Sequence, residues 1–140
     1  MGEWVAKAAS EEFRAALREF AEPVMRPLLS GADRSVVEQL YCFAAAVWNA
    51  VVLLDVLGNP TAMTEILRRL HTLDDNAFVE CFQLLDELCG LKELHYRDCT
   101  WVYRNVHVVR TASELQVKAE ALSLADWMDT KEPLRVGLPG

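Results

Sequence analysis

Between Val36 and Leu57 the chain reads VVEQLYCFAAAVWNAVVLLDVL, which is apolar on nearly every side when wound as a helix. A helix without a polar face must be enclosed, by protein or by lipid. The remaining segments must therefore supply a shell for it, and that requirement governs the fold. A capping box is expected at its start, with Ser35 accepting from the amide of Glu38 and the Glu38 carboxylate reaching back to the amide of Ser35. Gly58, Asn59 and Pro60 mark its end. At 100° per residue, Cys42, Ala45, Asn49, Val52 and Val56 fall on one stripe, with Glu38 at its N-terminal end. Small residues at Cys42, Ala44, Ala45, Ala46 and Ala50 allow close approach of neighbours, and Tyr41, Phe43 and Trp48 supply bulk elsewhere.

The run from Leu40 to Leu54 is interrupted only by Asn49. A membrane span needs about 20 apolar residues, and here Asp55 and the capping box come too early, so a buried core helix is the expectation. Asn49 then needs partners, because burying an amide without them costs about 1–3 kcal/mol. Either it bonds a neighbouring element and fixes packing register, or it lines a small pocket or a dimer interface. Asp55 is also out of place, since a carboxylate near a helix C-terminus opposes the helix dipole. Either it pairs with an arginine such as Arg68 or Arg104, or it stands solvated at the end of the helix.

Around this hub the periodicity predicts a mostly helical α+β domain over residues 1–130, with a C-terminal antiparallel hairpin at about 99–122 and a disordered tail over 131–140. A first helix spans about Ser10 to Ala21, with Phe13, Ala16, Leu17 and Phe20 on one face. Trp4, Val5 and Ala8 extend it backward as a separate turn. Pro23 and Pro27 are expected to break or kink the chain, leaving Val24 to Leu29 as a short turn or loop. Asn59 and Pro60 cap and open a helix whose buried stripe is Met63, Ile66, Leu67 and Leu70. A fourth helix from about Asp75 to Cys89 carries Phe78, Cys81, Phe82, Leu85, Leu88 and Cys89 at helical spacing, and Gly90 is expected to end it. Beyond it the period changes from 3.6 to 2, over Thr100 to Arg110 and again over Leu115 to Ala121, with Thr111 to Glu114 as the turn. Leu124, Trp127 and Met128 suggest a docking turn. The helix AVWNAVVLLD, followed by amphipathic helices and a two-stranded C-terminal segment, resembles that of small uncharacterised bacterial proteins with an alanine-rich W-N-A-x-x-L helix and a late hairpin. That resemblance implies the same order of elements and no activity.

Charge narrows the partners. Of a net −7, residues 36 to 90 contribute two basic and eight acidic groups, while the flanking segments are nearly balanced. An acidic chain without a basic block lacks the term that dominates nucleic-acid affinity, and the same balance argues against an anionic membrane surface. Four cysteines without CxxC spacing, and no basic segment leading into an apolar one at the N-terminus, favour a reduced, cytoplasmic setting. Ala6 stands where a myristoylation signal wants Ser or Thr.

Tests for chemistry return little. Cys89, His95, Cys99 and His107 have the right residue types for zinc but not the close knuckle spacing of a structural site, so no metal is assigned. No Gly-framed nucleophile and no phosphate-cradling loop is present. No catalytic residue and no cofactor is assigned. On the first strand Trp101, Tyr103, Asn105 and His107 alternate with Val102, Val106 and Val108. Either the valines face the helices, and Trp101, Tyr103 and His107 form an exposed interface face, or the aromatic face is the core-facing one. The two free edges of the hairpin offer places for a symmetric partner to add strands. The leading expectation is a non-enzymatic interaction domain, homodimeric or bound to a protein partner. The alternative is a small-molecule-binding or enzymatic domain with its pocket at Asn49, and with Asp55 or His95 near the mouth.

Overall fold

The computed structural model describes residues 12–112 and 114–130, the side chain of Thr130 excepted. The expected turn at Trp4, Val5 and Ala8, the start of the first helix at Ser10, and the expected tail over 131–140 lie outside those residues. Among the described residues five helices and one hairpin follow in order: α1 Arg14–Leu29, α2 Arg34–Leu57, α3 Thr61–Leu70, α4 Asp75–His95, β1 Val102–Arg110, β2 Leu115–Leu122 and α5 Leu124–Thr130. The expected α+β architecture is present, with α2 at its centre and packed on α1, α3, α4 and the hairpin. By length and composition α2 could cross a membrane; its most apolar 18-residue stretch has a mean hydropathy of 2.0, and 72% of that stretch is buried inside the protein.

Three helix boundaries differ from expectation by more than one residue, each for a local reason. Pro23 and Pro27 do not end the first helix, which runs on to Leu29. Both prolines lie on its exposed side, so the carbonyls at i−4 that lose their donors are those of the solvent face, where water can satisfy them. Leu17, Phe20, Ala21 and Met25 meanwhile keep an unbroken buried stripe. The cap of α2 is Asp33, whose side chain accepts from the Val36 amide at 2.9 Å, and not Ser35. Glu38 is thereby released from the expected capping box.

Gly90 likewise stands inside α4. The buried stripe continues beyond it through Lys92, and the Tyr96 amide closes the helix on the Lys92 carbonyl at 3.1 Å. Gly58, by contrast, does end its helix. With φ +64° it sits in the left-handed region, where its amide reaches the Leu54 carbonyl at 3.0 Å. At α3 the N-cap is Pro60, one residue later than expected, and Asn59 Oδ1 accepts from the Thr61 amide at 3.0 Å from the position before it.

The hairpin pairs Val102 with Leu122 and Arg110 with Leu115, but its register shifts between Arg104 and His107. Asn105 and Val106 together stand opposite the single Ala119, a β-bulge with Asn105 at φ +54°. The simple alternation expected for this strand therefore fails. Val102 and Tyr103 are both buried, and the face that follows the bulge is set anew.

The two glycines give opposite predictions. A Cβ at Gly90 meets nothing within 4 Å and the residue is helical, so Gly90→Ala should stabilise the protein by about 0.5–1 kcal/mol. Gly58→Ala should destabilise it by about 1 kcal/mol, because an L side chain is strained at that φ. Urea midpoints of the two variants moving in opposite directions check both.

Candidate functional site

Five side chains of α2, those of Arg34, Glu38, Cys42, Trp48 and Asn49, converge on the outer edge of β1 and on Trp101 just before it. A strand at the edge of a sheet presents unpaired N–H and C=O groups, and here side chains of the helix take most of those between Tyr103 and Val108. Trp48 Nε1 donates to the Trp101 carbonyl at 2.8 Å. Asn49 pairs with both peptide groups of Tyr103: its Nδ2 donates to the carbonyl at 2.8 Å, and its Oδ1 accepts from the amide at 2.7 Å. Cys42 Sγ donates to the Val106 carbonyl at 3.4 Å. At the far end Glu38 accepts from the Val108 amide at 3.0 Å, while Arg34 donates to the Val108 carbonyl at 3.1 Å and to Glu38 at 2.8 Å.

Asn49 is 4% exposed, and both ends of its amide are engaged by the strand. It acts as a one-residue substitute for a third strand. Burial together with the neighbouring Glu38 carboxylate pushes the Cys42 thiol up, which suits a donor rather than a nucleophile.

Around Trp48 the seam widens into an aromatic cluster. Phe20, Tyr96, Trp101 and Tyr103 all place their ring centroids 5.2–5.4 Å from that of Trp48. The Lys92 ammonium lies 4.5 Å from the centroid of the Trp48 ring and donates to the carbonyls of Tyr96 and Cys99 at 2.6 and 2.9 Å. At 3% exposure this is a buried cation, and burial lowers its pKa. It ties the loop after α4 to the core. Tyr103, 2% exposed, donates its hydroxyl to the Phe13 carbonyl at 2.6 Å, and burial raises its pKa.

The residues singled out from sequence are thus scattered. Tyr103 is core and Trp101 is half-buried against Phe13 and Trp48, whereas His107 is exposed, its Nδ1 2.9 Å from the Asn105 carbonyl. Asp55 lies far along α2 from Asn49, and its expected arginines are engaged elsewhere, Arg68 with Glu65 and Arg104 with Glu120. Asp55 instead meets Glu93 of α4, whose pKa is raised chiefly by a hydrogen bond between the two carboxyls. Cys89 lies near this pair; burial, then the surrounding carboxylates, pushes its thiol up to about 11. Cys89, His95, Cys99 and His107 are not gathered, and among the described residues no group of three or more His, Cys, Asp or Glu could hold a metal ion.

Lys92 was missed from sequence. Its signal is a lysine on the same helical arc as Leu85 and Leu88, where only apolar residues are expected. Comparison with known proteins gives no match to a family model, a curated protein or a solved structure.

Asn49→Ala leaves the Tyr103 amide and carbonyl buried and unpaired, so it should cost about 2–4 kcal/mol in chemical denaturation. Glu38→Gln, which keeps an acceptor for Val108, should cost well under half as much. The Asp55 and Glu93 pair has the opposite sign. A carboxyl whose folded pKa is raised contributes stability below its unfolded pKa and loses it as pH rises through the folded value. Glu93→Gln should therefore raise the denaturation midpoint at pH 7, and the gain should vanish below the ordinary carboxyl range.

Proposed function

We propose that this chain is a non-enzymatic protein–protein interaction domain that forms a homodimer by strand addition along the outer edge of β2. The single observation that carries the reading is the difference between the two hairpin edges. Sequence suggested two free edges; the β1 edge is occupied by α2. Tyr103 and Val108 turn their peptide groups toward α2, so their ladder partners Ala121 and Val117 turn theirs the other way. Ala119, between them, shares that direction. No hydrogen bond among the described residues reaches the outer groups of Val117 or Ala119.

An antiparallel copy centred on Ala119 sets Lys118 opposite Glu120 of the second copy, and Glu120 opposite Lys118. Two opposite-charge cross-strand pairs result. The engagement of both ends of the Asn49 amide within the chain weighs against a pocket there. Four free cysteines agree with a reducing, cytoplasmic setting.

Light scattering and native mass spectrometry should give twice the 15.8 kDa chain mass. Ala119→Pro removes an outward N–H without breaking the β1–β2 ladder, and it should yield monomer with the hairpin retained. A wild-type chain that stays monomeric at high micromolar concentration would sink the reading.

A further inference from the structure

A second surface stands apart from the hairpin. On the exposed side of α4, Val79 is 52% and Phe82 44% exposed, one helical turn apart. With the half-buried Phe78 they form a short apolar strip on one helical face. The His71 ring stacks on Phe78 at 5.3 Å and 27°, and Phe78 stacks on Phe82 at 5.8 Å and 24°. Large apolar side chains pre-arranged in this way at the surface are the anchors of interaction sites.

The charge around the strip has one sign. Asp75 precedes Val79 by one turn and Asp86 follows Phe82 by one turn, so carboxylates bracket the strip at both ends of the same helical face. Residues 75 to 91 carry Asp75, Glu80, Asp86 and Glu87 and no lysine or arginine. The cations that flank this segment in sequence do not offset them. Arg68 and Arg69 are both held by Glu65, which they drive down to about 2, and Lys92 is buried beneath the helix with its ammonium on backbone carbonyls. From Asp75 to Asp86 the strip runs about 16 Å, the length of three helical turns.

We propose that this face of α4 docks a cationic amphipathic helix of a partner protein. Apolar side chains of that helix would cover Val79, Phe82 and the edge of Phe78, and lysines or arginines at its ends would meet Asp75 and Asp86. Charge complementarity favours such a partner over a second copy of this chain, because two copies would bring like-charged carboxylates face to face. The inference rests on the interaction reading but not on the β2 edge.

The test is fluorescence anisotropy of a labelled synthetic peptide of leucine and lysine, about 15 residues long and amphipathic as a helix. The expected result is saturable binding that weakens with added salt. It should fall at least tenfold in the double variant Val79→Ser, Phe82→Ser, and severalfold in Asp75→Asn, Asp86→Asn, with denaturation midpoints of both variants confirming the fold. Equal binding of a lysine–serine peptide of the same charge would overturn the proposal, as would unchanged affinity in the Val79, Phe82 variant. A wild-type dimer that dissociates in that variant would overturn it too, by assigning the face to a second copy. Peptide binding retained by a chain that is monomeric throughout would refute the dimer alone and leave the α4 site standing.

Discussion

Everything in this protein depends on the contact between one helix and the backbone of one strand. A two-stranded hairpin is marginal on its own, because half the peptide groups of each strand have no partner. In this chain α2 provides what a third strand would, through side chains instead of backbone. The geometry permits it because the two elements are nearly commensurate. From Glu38 to Asn49 the helix advances about 16 Å, and from Val108 back to Tyr103 the strand covers about the same length. Helix and strand run antiparallel, so Glu38 meets Val108, Cys42 meets Val106 and Asn49 meets Tyr103 in turn. The bulge is part of the match. Without the extra residue at Asn105, the peptide groups facing α2 would fall out of step between Tyr103 and Val106.

That seam also orders the aromatic centre. Trp48 is next to Asn49, and its indole N–H is spent on the strand, which aims the ring into the space between α1, α4 and the start of β1. Phe20, Tyr96, Trp101 and Tyr103 then close around it, and Lys92 seats its ammonium on the ring face. Burying that ammonium is tolerable only because two carbonyls of the loop after α4 accept from it. The result is a core in which Trp48, Asn49, Lys92 and Tyr103 each bond to backbone, while the buried Nε1 of Trp101 has no partner among the described residues.

Much of this was legible in the residues. The stripe of Glu38, Cys42, Ala45 and Asn49 follows from 3.6-residue periodicity, and a buried amide demanded partners whatever they proved to be. The hairpin, its turn and the order of elements follow from the change of period after the fourth helix. The helix ends at Leu29 and His95 were not legible, because the breaker signals at Pro23, Pro27 and Gly90 compete with a buried stripe that continues past them, and packing of Met25 and Lys92 outweighs the local cost. The bulge at Asn105 was hidden for a related reason. A period of two describes a strand only while each residue has one partner, and nothing in Arg104-Asn105-Val106 announces that two will share Ala119.

By itself, then, the sequence determined the central helix, the amphipathic partners that must enclose it, the hairpin and the sign of the surface charge. These are properties of local spacing and composition, readable wherever one element is long and its pattern strong. Tertiary structure alone decided that Asn49, Glu38 and Arg34 serve a strand more than fifty residues away, that Tyr103 is core and His107 is surface, and that the β1 edge of the hairpin is taken by α2. Each of those outcomes turns on which peptide groups of β1 face α2. That orientation is set by the alignment of two distant elements, about which neither carries information alone.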